Sequence, residues 1–122
     1  SPMASGLLTG AFSAQRVASL PDDDWRRRED AFTTDLPRNL ALVEALRPVA
    51  RRHDASLGAV AVAWTLTWPG LTAAIVGART PAQVLGWVDA AGLVLSQEDL
   101  AGIAAAVEQT GAGAGPVRPS AS

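Results

Sequence analysis

Two hydrophobic periods alternate along the chain and divide it into elements. Leu36, Leu40, Val43, Leu46 and Ala50 recur at the spacing of one helical face, which predicts a helix from about Pro37 to His53. Asp35 stands where an N-cap belongs, and Pro37 falls in the first turn, where a missing N–H costs little. Arg47, Arg51, Arg52 and His53 gather at the other end, where the helix dipole favours positive charge. The next helix, about Leu57 to Thr67 behind a Ser56 cap, is apolar nearly all round and is expected to be buried on several sides. Pro69-Gly70 ends it.

The period then shortens. Ala73-Ala74-Ile75-Val76, bounded by Gly70 and Gly77, reads as a buried strand of the kind found in parallel sheets. Thr80-Pro81-Ala82-Gln83 combines an N-cap, a proline at the first helical position and a glutamine at the third, predicting a helix to about Ala91. After Gly92, Ser96 caps a last helix, Gln97 to Gln109, with Leu100, Ile103, Ala104 and Val107 along one face. The opening, Ser1 to Gly10, is rich in small residues and reads as a loop. Residues 11–35 are polar and irregular; their acids, Asp22 to Asp24, and bases, Arg26 to Arg28, read as a solvated surface. From Gly111 the Gly/Ala pattern and the Pro/Ser ending predict a flexible tail, 111–122.

One strand cannot satisfy its own edge hydrogen bonds. The order loop, helix, helix, strand, helix, helix therefore reads as part of a larger α/β structure. At 122 residues it would be about half of a (β/α)8 barrel of roughly 250 residues.

Composition changes this picture mainly by subtraction. Ten arginines, no lysine and twelve acids leave a net charge of −2, which gives no reason to expect nucleic acid or an anionic membrane as partner. There is no cysteine, no signal-peptide pattern and no apolar run long enough for a bilayer, so a cytoplasmic location is expected. Tyrosine is absent as well as lysine, and no step that needs a phenol or an amine can run on these residues. The first residue is Ser rather than Met, as in a cleaved, trimmed or excerpted chain. His53, flanked by Arg51, Arg52 and Asp54, is expected to be an exposed helix-end residue.

Four segments, in order, resemble the aldo-keto reductase family. Ser1-Pro2-Met3-Ala4-Ser5-Gly6-Leu7-Leu8-Thr9-Gly10 is similar to the stretch after the seventh barrel strand. Pro37 to Trp64 resembles the helices that follow. Ile75 to Val84 resembles the eighth strand and its cofactor loop, and Leu93 to Leu100 the opening of the closing helix. The resemblance implies an α/β fold, the C-terminal portion of a (β/α)8 TIM barrel, predominantly helical here with one or two short parallel strands. Residues 1–110 would form that portion, with cofactor loops at 1–10 and 75–84.

It also implies NADP(H) as cofactor, held by Ser1, Met3, Ser5 and Gly6 in the first loop and by Gly77, Arg79, Thr80 and Gln83 in the second. Small hydroxyl residues and exposed amides would let a pyrophosphate approach closely. A strand running into a helix N-terminus favours phosphate, and Arg79 offers a planar fork for a 2′-phosphate. Locally, Gly77 also suits a tight turn, and Thr80 with Gln83 a helix cap. Where many relatives have an adenine-contacting Asn, this chain has Trp87, expected to pack instead. The implied activity is reduction of an aldehyde or ketone, or the reverse oxidation. No position matches the family's catalytic Asp, Tyr, Lys and His, so no turnover is expected from this chain alone. The alternative is a non-catalytic helical interaction module, or half of a split barrel completed by self-association or by another chain. Arg26 to Arg28 and the apolar helix undersides would then face the partner.

Overall fold

Three helices carry the core of the computed structural model, which describes residues 1–119. In chain order the helices are α1 (Ala14–Ala18), α2 (Leu36–Arg52), α3 (Leu57–Leu66), α4 (Pro81–Leu85) and α5 (Gln97–Thr110). Short 3₁₀ turns lie at Ala4–Thr9, Trp25–Arg28, Asp30–Phe32 and Val88–Gly92. Among the described residues no helix is long and apolar enough to cross a membrane.

The apolar stripe of α2 packs chiefly against α5 and then against α3. Val43, Leu46, Val49 and Ala50 meet Val60, Val62 and Ala63 of α3 and Ile103 of α5. Helix α3 is buried without a break from Leu57 to Ala63, the burial its all-round apolar sequence demands. Its Ser56 hydroxyl accepts from the Ala59 amide, as a cap should. A second apolar cluster joins the first loop to the start of α2 through Leu7, Phe12, Val17, Phe32 and Leu36, with the Phe12 and Phe32 rings edge to face at 5.1 Å.

Asp35 precedes α2 but does not cap it; its carboxylate instead accepts from the Arg38 guanidinium. Ser96 and Asp99 form a full capping box at α5, each side chain bonding the other residue's amide.

The predicted strand is not formed. Residues 73–76 are extended, yet among the described residues there is no strand, and no backbone hydrogen bond involves 72–78. Burial alternates as in a strand: Ala74 and Val76 lean on the core while Ile75 is 94% exposed. A ladder is made by neighbours, and no second extended segment lies alongside. The described residues are therefore predominantly helical, and the expected short strands are not formed among them. The helix expected to reach Ala91 also stops early, at Leu85: the Gly86 carbonyl accepts from the Ser56 hydroxyl, and Trp87 leaves the helical region at φ −142°. Of the tail, residues 120–122 lie outside the described residues; Ala112 is buried against the helices.

Candidate functional site

The first expected cofactor loop and the residue that follows α4, Gly86, meet at the N-terminus of α3. Its second residue is Gly58, where a Cβ would lie 3.2 Å from the Met3 Sδ of the first loop and 3.4 Å from the Gly86 carbonyl oxygen that follows the second. The Ser56 hydroxyl donates to that same carbonyl. A Cβ at position 58 would crowd the Met3 side chain.

The first loop is tightly wound. Ala4, Ser5 and Gly6 have φ of 49°, 58° and 93°, three successive left-handed residues of which two are not glycine, a costly conformation that surrounding contacts must hold. The Ser5 amide donates to the Ser1 hydroxyl oxygen at 3.3 Å and the Gly6 amide to the Met3 carbonyl at 3.1 Å. These two donors are thus spent inside the loop, and the Ser1 and Ser5 hydroxyls are what it offers outward. Gly10 closes it at φ 77°, where a Cβ would come within 2.8 Å of Leu57 Cδ1.

The second loop is open. Ala78, Arg79, Thr80, Pro81, Val84 and Leu85 line a shallow surface depression. Thr80 Oγ1 accepts from the Gln83 amide at 3.4 Å, the capping role open to it from sequence. The Gln83 side-chain oxygen accepts from the Arg79 amide at 2.6 Å, and so shapes the backbone that carries Arg79. Among the described residues the Arg79 guanidinium has no carboxylate partner. Gly77 is exposed with open space where a Cβ would be, and its φ is not positive, so no turn requires glycine there. Helix α4 has five residues, too short for much dipole, and the positive character of this end rests on Arg79. Trp87 packs against the core, its indole N–H buried without a partner.

A third segment reaches the same end. Arg26 grips Asp24 through two nitrogens at 2.9 and 2.8 Å and lies over the Phe12 ring at 5.4 Å. Hydrogen bonds from the Arg26 side chain and amide hold the Asp24 carboxyl below its usual range, and the charge of Arg79 adds to this. Asp24 and Arg26 are thus a part-buried clasp rather than the solvated charges expected.

Away from the loops, Asp99 is 2% exposed and accepts from Arg52 Nη2 at 2.6 Å, His53 Nε2 at 2.6 Å and the Ser96 amide at 2.9 Å. Burial pushes its carboxyl up, but these bonds outweigh that and hold it well below the carboxylate range. An ionised carboxylate only accepts, so His53 donates. The residue read as an exposed helix end is a tie between α2 and α5. Two sequence signals pointed this way without being joined: a histidine after two arginines, and an acid at the third position of a capped helix.

The sequence profile of the aldo/keto reductase family matches residues 1–108, and the chain belongs to that family. It is 30% identical over 115 residues to the aldo-keto reductase str7 of Strobilurus tenacellus, a match covering 90% of this chain and 32% of that protein. The solved glycerol dehydrogenase AKR11B4 from Gluconobacter oxydans, a barrel enzyme of the family, is similar at a TM-score of 0.79 and 28% identity, over 99% of this chain and 36% of that one. The chain spans about a third of the length of these relatives.

Proposed function

We propose that this chain is the cofactor-holding end of an NADP(H)-dependent aldo-keto reductase that interconverts a carbonyl and an alcohol. One observation carries the reading: Arg79 lines the open depression at the start of α4 and, among the described residues, stands without a carboxylate partner. An unpaired guanidinium above an open depression is a fork for a phosphate dianion. Gln83 fixes the backbone of that fork, Thr80 caps the turn behind it, and the hydroxyls of Ser1 and Ser5 face outward from the other loop. Met3 and Gly6 act by building the first loop, and Gly77 by leaving open space in the approach to Arg79. When bound, the nicotinamide supplies or accepts the hydride. No tyrosine or lysine is present to donate the matching proton, so turnover requires residues beyond these. Alcohol oxidation by the glycerol dehydrogenase relative favours the same reaction class.

The test is quenching of the four tryptophans by NADPH and by NADH, in the chain and in Arg79→Ala. Saturable quenching, with NADPH weakened roughly tenfold or more by the substitution and NADH little changed, is the expected result. No saturation at millimolar NADPH would defeat the reading for this chain.

A second reading has its own support. The bare backbone of 72–78 and the exposed Ile75 suit half of a barrel completed by another chain or copy. Sedimentation equilibrium separates the two, since a completed barrel requires a heavier species and cofactor binding does not.

A further inference from the structure

Helices α2, α3 and α5 do not close completely on one another. Between them lies an apolar cavity of about 320 Å³ whose walls are Leu42 and Leu46 of α2, Val60 and Trp64 of α3, and Ile103 and Val107 of α5. Pro2 and Leu8 reach it from the first loop. No residue lining it is charged. Water there finds few hydrogen-bond partners, and apolar cavities of about half this volume are known to stay dry and accept a single aromatic ring.

The cavity opens to one side, and the chain itself reaches across that side. Gly111 and Gly113, at φ 67° and 77°, turn the backbone back after α5, with open space where a Cβ would stand on either. Ala112 is buried to 2% exposure, and Gly115 and Pro116 border the cavity. This returning segment lies beyond residue 108, where the family match ends.

We infer that the cavity is a binding site for a small, uncharged, apolar molecule of two to three aromatic rings, covered by residues 112–116. Volume, lining and cover agree on that class. A charged ligand would lose its hydration with nothing to replace it, whereas an apolar one gains contact on every wall and leaves the loops to the cofactor. The inference is independent of the cofactor reading, since it uses neither Arg79 nor a phosphate.

The test is titration of the full chain with N-phenyl-1-naphthylamine, an uncharged dye whose emission rises in apolar surroundings. A saturable one-to-one rise is expected. Val107→Trp, which fills the cavity, should weaken it by roughly tenfold or more, and the milder Leu42→Phe by less. Gly113→Val, which strains the return turn, should also weaken it if the cover matters. Ile75→Ser, on the exposed apolar edge, should leave it unchanged. No saturable rise, or a rise that survives both filling variants, overturns the site; so does one lost with Ile75→Ser, which would move the dye to the edge. Unfolding midpoints measured with the dye give a check on the native chain: a specific ligand raises the midpoint, and no rise overturns the site.

Discussion

The bundle of α2, α3 and α5 and the segment 71–95 carry similarly apolar sequences and have opposite fates. Val60 in the bundle is 1% exposed, while Ile75, Leu85 and Val94 in the segment are 94%, 73% and 82% exposed. The bundle's helices satisfy their backbones internally and need only side-chain neighbours, which the chain supplies. The segment's extended stretches need backbone partners from elsewhere and do not find them among the described residues. An apolar helix can be finished by its own chain, whereas an apolar strand waits for another.

The sharpest way to break this contrast is to make the bundle fail. Asp99→Ala removes the acceptor shared by Arg52, His53 and the Ser96 amide and should destabilise the fold by about 3 kcal/mol in urea unfolding. Asp99→Asn keeps an acceptor there and should lose less. The pH dependence follows from the same group. Its folded carboxyl is held below the ordinary 3.8, so its contribution is complete above that value and fades as the pH falls from it. The advantage of the parent over Asp99→Asn should therefore shrink below about pH 4.

A smaller effect is expected where the two regions touch. Ser56→Ala removes the α3 cap and the bond to the Gly86 carbonyl and should cost about 1 kcal/mol. Hydrogen exchange should quicken through the residues after Gly86 more than in α5. If exchange quickens equally in both, the segment is not held separately from the bundle. The smallest effect belongs to the segment alone: Ile75→Ser should change stability by no more than about 0.5 kcal/mol. A larger loss would mean that Ile75 is covered in solution, which would favour the completed-barrel reading.

The positions of α2, α3 and α5 were legible because periodicity and caps act locally. Ser56 and Ser96 cap their helices where the sequence placed them. The pairing of Asp99 with His53 was not legible. The two are 46 positions apart, and only the packing of α5 on α2 brings them within 2.6 Å. The candidate loops were legible as segments through family likeness, but not in their internal bonding. Ser5 and Gly6 turn their amides inward, and the Gln83 side-chain oxygen holds the Arg79 backbone. Gly58 carried a faint signal, a glycine inside a buried helix, whose meaning needed Met3 and Gly86 beside it.

By itself, then, the sequence determined where α2, α3 and α5 begin and end, which faces they bury, which side-chain chemistries are absent, and the family. Those properties depend on spacing, residue type and hydrogen bonds a few residues long. Tertiary structure alone decided that residues 73–76 stay unpaired, that His53 becomes a tie between helices, and that the first loop and Gly86 meet at the N-terminus of α3. It also decided that Ala112 is buried and that a cavity remains between the helices. Each of these turns on groups distant in the chain arriving, or failing to arrive, at the same place, which no local pattern records.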